Sequence, residues 1–79
     1  MNENELAKAI LTYLDIDSNK VDEPVSDYCR NLRDVKTFNH CNIYTVGEAI
    51  LWFNKHGCHP PGMRSRGWTA MIENLKTKQ

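Results

Sequence analysis

TVGEAILWFNKHG, residues 45–57, decides how the rest of the chain is read. Thr45 followed three places on by Glu48 is the pattern of a capping box, in which the hydroxyl accepts from one free backbone N–H and the carboxylate reaches back to another. Behind it Val46, Ala49, Ile50 and Phe53 recur at helical spacing, so the segment predicts a helix over residues 46–55 with those four side chains inward. Gly57 and the Pro60-Pro61 pair stop it, because glycine accepts a left-handed turn and proline has no N–H to continue the ladder.

Upstream, Leu6, Ile10 and Leu14, flanked by Ala7, Leu11 and Tyr13, predict a helix over residues 3–14 with Asn2 or Asn4 as its N-cap. Residues 15–23, DIDSNKVDE, are a polar connector. Asp15, Asp17 and Asn19 have the spacing that opens a calcium loop, but Lys20 stands where such a loop needs glycine and Ser26 where it needs a bidentate Glu, which discounts calcium. From Pro24 the chain is extended or turned until Asn31, which can cap a helix over residues 32–41 with Asp34 near its positive end. Leu32, Val35 and Phe38 would then face inward, with Arg33 and Lys36 at the rim.

Downstream, Trp68, Met71, Ile72 and Leu75 mark a last helix that opens at about Met63 and frays in the KTKQ tail. Gly67 should weaken its first turns by about 1 kcal/mol relative to alanine. With no strand-like alternation, internal repeat or low-complexity tract, the expected fold is all-α, a compact bundle of four to five short helices. Its expected core is Leu6, Ile10, Leu14, Leu32, Val35, Phe38, Ile43, Val46, Ile50, Phe53, Met71, Ile72 and Leu75.

The 79 residues suffice for one domain. No apolar run approaches the roughly 18 residues that span a bilayer, and the polar start MNENEL is unlike a signal peptide, so a cytoplasmic monomer is expected. Formal net charge is zero, but it is unevenly distributed. Residues 1–27 hold seven acids and two bases, a net of −5, whereas residues 28–79 hold eight bases and three acids, a net of +5. Such asymmetry suits one face for an anionic partner.

Three cysteines, Cys29, Cys41 and Cys58, are odd in number and widely spaced, which fits reduced thiols better than a disulfide framework. His56, Cys58 and His59 lie together and His40 adjoins Cys41, yet no close cysteine pair of the zinc type is present, so no metal or other cofactor is expected. Catalysis is not expected either. There is no phosphate loop, HExxH or GxSxG, and His40 and Cys41, adjacent on a helix, point to different sides. So small a bundle also has little room to bury a substrate.

The run over residues 24–75, about two thirds of the chain, resembles the C-terminal domain of the bacterial RNA polymerase α subunit. The places that carry the resemblance are Pro24, Val25, Asp27, Arg33, Asn42, Ile43, Val46, Gly47, Glu48, Gly62, Arg64 and Ser65. It implies a helix-hairpin-helix-like, SAM-like domain over residues 24–79, preceded by an N-terminal helix and acidic connector over residues 1–23, all in one folded unit. It also implies binding to the minor groove of A·T-rich duplex DNA in transcription. Arg33 matches the family's principal minor-groove arginine, and Gly62, Arg64 and Ser65 match the opening of its last helix. Gly47 matches the glycine at the start of the family's second helix. Lys36 stands where the family has asparagine, with Thr37 after it, and the stretch between Gly47 and Gly62 is shorter than usual, which puts the family's short third helix in question.

Physical chemistry points to the same residues. A glycine-opened helix N-terminus offers free N–H groups to phosphate, to which Arg64, Ser65 and Arg66 add charge and a hydroxyl. Arginine suits narrow A·T-rich grooves because the negative potential is enhanced there. The candidate DNA contacts are therefore Arg33, Lys36, Gly62, Arg64, Ser65 and Arg66. In the bland alternative Gly62 is a plain turn residue and Arg33 pairs at the surface with Asp27 or Glu48. A second functional reading keeps the fold but docks on a transcription factor or polymerase component through Trp52, Trp68 or the acidic N-terminal helix, since fold alone does not choose between them.

Overall fold

The computed structural model describes residues 2–77. Four helices follow one another, α1 (Glu3–Tyr13), α2 (Leu32–His40), α3 (Val46–His56) and α4 (Ser65–Thr77), and two 3₁₀ turns, Ser18–Asp22 and Val25–Asp27, lie between α1 and α2. The architecture is all-α. Among the described residues the strand-like pairing is the isolated bridge of Pro24 with Thr45, where Val25 N–H donates to the Tyr44 carbonyl and Val46 N–H to that of Glu23, each at 2.9 Å.

Side chains and backbone close the helix ends. Asn2 accepts from Glu5 N–H, Asn31 from Asp34 N–H, and Thr45 and Glu48 form both halves of the capping box. At the ends of α1 and α2 the chain turns through a left-handed residue that is not glycine, Asp15 (φ 62°) and Asn42 (φ 59°). Each turn is closed by a hydrogen bond from the residue beyond, Ile16 N–H to Leu11 and Ile43 N–H to Phe38, both at 2.9 Å. In both cases the two residues so joined are buried together, which is the hydrophobic pairing of a Schellman motif. Gly57 (φ 74°) ends α3.

A single cluster forms the core, from Ala7 and Leu11 of α1, Ile16, Val21, Val25 and Tyr28 of the connector, Phe38, Ile43, Val46, Ala49 and Ile50, to Met63, Met71 and Leu75. The predicted α1 face is rotated slightly: Ala7 and Leu11 are buried, whereas Leu6, Ile10 and Leu14 are half-buried at its edge. Val35, Phe53 and Ile72 are also half-buried. Leu32, expected in the core, is 66% exposed. The reason is that Asp34, only 4% exposed, takes the inward place together with Phe38 at i, i+4 spacing and turns Leu32 outward.

The last helix opens at Ser65 and not near Met63. Met63 is buried and closes a turn by donating to the Pro60 carbonyl at 3.2 Å, so it anchors the approach to the helix and does not begin it. No helix lies between Gly57 and Arg64. Lys76 and Thr77, expected to fray, complete the last turn of α4, and Lys78 and Gln79 lie outside the described residues. Lys20 Nζ donates to the Leu75 carbonyl at 2.6 Å, a cation at the negative end of the helix. No helix among the described residues is long and apolar enough to cross a membrane.

Candidate nucleic-acid interface

Two contacts set α2 against the start of α4 and a third sets it against the turn that precedes α4. The Phe38 and Trp68 rings meet at 6.3 Å between centroids, tilted by 57°. The Asp34 carboxylate lies so close to Gly67 that a Cβ there would stand 2.7 Å from Oδ2 and 3.0 Å from Cγ. A Cβ on Gly62 would sit 3.7 Å from Thr37 Cγ2. Side chains one turn apart on α2, Arg33 and Thr37, share a face, and the Thr37 hydroxyl donates to the Arg33 carbonyl. The face that bears Arg33 therefore borders the turn that bears Gly62.

Gly62 has φ 89°, a backbone that glycine adopts freely. It lies in the turn before α4, three residues ahead of Ser65, so it does not open the helix as the sequence suggested. Arg64 holds the N-cap place, its carbonyl accepting from Gly67 N–H at 2.9 Å and Trp68 N–H at 3.2 Å. Ser65 and Arg66 begin the first turn. All three are exposed, as are Arg33 and Lys36 on α2.

The charges on this side are predominantly positive. Among the described residues the ion pair is Arg30 with Asp34, Nε to Oδ2 at 3.1 Å, and Arg33, Lys36, Arg64 and Arg66 make none. Glu48, considered above as a partner for Arg33, instead accepts from Tyr44 N–H and Thr45 N–H at 3.0 Å each. Asp34 is the acid closest in sequence to Arg33 and Lys36, and its buried carboxylate is held by Arg30. Burial, together with that carboxylate, pushes the neighbouring Cys29 thiol up to about 11.

The remaining candidates are not brought together into a site. Trp52 carries the His56 ring at 4.0 Å, His59 Nδ1 lies 3.4 Å from its neighbour's carbonyl at Pro60, and Cys58 is exposed. Among the described residues no three His, Cys, Asp or Glu side chains converge to hold a metal ion. Trp68 is stacked on Phe53 at 4.7 Å and 15° and is half-buried. The sequence reading passed over Arg30, Asp34 as a buried carboxylate, and Thr37 as the side chain that meets Gly62. The local signals were Asp34 three places after its N-cap, Arg30 four places before it, and a glycine in the first turn of another helix; their pairing is visible only in the fold. Comparison with known protein families, curated proteins and solved structures returns no match.

Proposed function

We propose that this chain is a duplex-DNA-binding module of the RNA polymerase α C-terminal-domain kind, helix-hairpin-helix-like in α2 to α4, and that it acts in transcription by gripping the minor groove of A·T-rich DNA. The observation that carries this reading is the border between α2 and the approach to α4, where Thr37, one helical turn along from Arg33, lies against Gly62 in the turn leading to Arg64, Ser65 and Arg66. These arginines are exposed and make no ion pair among the described residues. Arg33 is the groove-reading residue, and Lys36, Arg64, Ser65 and Arg66 are phosphate contacts that set the register. Zero net charge does not oppose this, because the +5 of residues 28–79 is offset by acids in residues 1–27.

Titration of the labelled protein with A·T-rich and G·C-rich duplexes at two salt concentrations tests the reading. Amide signals of Arg33 and Gly62 to Arg66 should shift with the A·T-rich duplex, and the shifts should weaken as salt rises. A second reading, docking on a transcription protein, is favoured by one observation, an apolar cleft of about 470 Å³ between α1, α3 and α4 lined by Ile10, Leu14, Phe53, Trp68 and Ile72. If no duplex moves any amide at low salt, that reading replaces the first.

A further inference from the structure

Among the described residues the exposed large apolar side chains are Tyr13, Leu32 and Tyr44, and of these Leu32 adjoins Arg33. It is the first residue of α2, directly after the Asn31 cap, and its outward direction is enforced by Asp34, which holds the inward place through Arg30 and its packing on Gly67. An aliphatic side chain thus projects from a fixed helix tip beside an arginine with no ion pair. Many proteins that bind the minor groove combine these two elements: arginine follows the groove, and an apolar side chain enters between base pairs and partly unstacks them. The cost of that insertion depends on sequence, low at flexible TpA steps and high in stiff A-tracts.

We propose that Leu32 is an apolar wedge that enters the minor groove at a base step beside the narrow stretch held by Arg33, so that the preferred target is an A·T-rich duplex in which a flexible TpA step adjoins that stretch, and not an uninterrupted A-tract. This rests on the DNA-binding reading above and narrows its substrate class. Asp34 and Gly67 are positioning residues in this scheme, since they hold the helix tip against α4 and touch no DNA.

The test uses two duplexes of equal A·T content, one with an A-tract interrupted by a central TpA step and one with an uninterrupted A-tract, each carrying 2-aminopurine at the central step. The parent protein should bind the TpA duplex roughly fivefold or more tightly than the A-tract, and 2-aminopurine fluorescence should rise on binding. Leu32→Ala, with an unchanged melting temperature because the side chain is exposed, should lose both the preference and the fluorescence rise while keeping salt-dependent binding. Leu32→Phe should retain them. Equal binding of both duplexes by the parent, or an unaltered preference in Leu32→Ala, overturns the wedge and leaves DNA binding standing. Absence of binding to any duplex by the parent at low salt overturns both.

Discussion

Gly47 and Gly67 look alike in the sequence, each a poor helix former in a helix's first turn, and in each case the structure supplies a steric reason. A Cβ on Gly47 would stand 2.6 Å from Val21 Cγ2 and 3.0 Å from the Val21 carbonyl oxygen. On Gly67 its three nearest neighbours would be atoms of the Asp34 carboxylate, at 2.7 Å from the nearer oxygen. Backbone cannot swing aside, whereas a carboxylate can move if it gives up Arg30. Alanine gains up to about 1 kcal/mol of helix propensity at either place, against about 1–3 kcal/mol for overpacking a tight site. Gly47→Ala should therefore destabilise clearly and Gly67→Ala by less, which urea denaturation midpoints would show; the reverse order would mean that the Val21 turn yields more easily than Asp34. Alkaline titration reads two other residues, the buried Tyr28 and the half-buried Cys29. Burial, a hydrogen bond to Glu23 and the Glu23 and Asp27 charges push the Tyr28 hydroxyl up to about 12 from 10.0, and Cys29 is raised to about 11 from 9.0. The folded chain holds protons that the unfolded chain releases, so stability should fall as pH rises from about 9 to about 12. Midpoints measured at intervals across that window, with the Cys29→Ser variant losing the earlier part of the decline, would check the assignment.

At the scale of the elements, what was legible in the sequence is what periodicity and caps encode. The four helices were readable, as were the Asn31 cap and the Thr45–Glu48 box, because both are local and the handful of hydrogen bonds involved lie within one turn. Thr45→Ala should cost about 1 kcal/mol, seen as a lower denaturant midpoint. Coincident midpoints would mean that Glu48, which accepts from Tyr44 and Thr45 N–H, carries the cap alone. What stayed hidden depended on partners distant in sequence. Spacing raises and then discounts Asp15 as a calcium ligand, and it does not reveal the left-handed turn of Asp15 at the end of α1. Asn42, matched to a family position, turns out to do the same work at the end of α2. Leu32 and Asp34 exchanged places because an inward carboxylate depends on Arg30 and Gly67, and no hydrophobic pattern encodes that. Met63 was mistaken for the start of α4 because Gly62 and the prolines mark a turn without saying where it ends.

For the molecule as a whole, the acidic N-terminal part contributes Ala7, Leu11, Ile16 and Val21 to the same core as the basic remainder, so the charge asymmetry belongs to one packed body. A neutral protein can then bind a polyanion only through a localised cluster, and the contribution of each cation must depend on its place. That gives the sharpest expectation. If Arg33 follows the minor groove, Arg33→Ala should cost about 1–3 kcal/mol of affinity and reduce the preference for A·T-rich sequence, because a base-step contact is lost together with a charge. Arg64→Ala, at the N-cap of α4, should weaken binding to every sequence alike and lower the salt slope by about one, as loss of a single phosphate contact does. Lys76→Ala is the comparison, an exposed cation in the last turn of α4, at the end of the helix away from Arg64, and should change neither. Fluorescence anisotropy with A·T-rich and G·C-rich duplexes across a salt series separates these outcomes. Equal losses in all three variants would mean that only net charge matters, with no oriented groove contact, and would remove Arg33 from its assigned role.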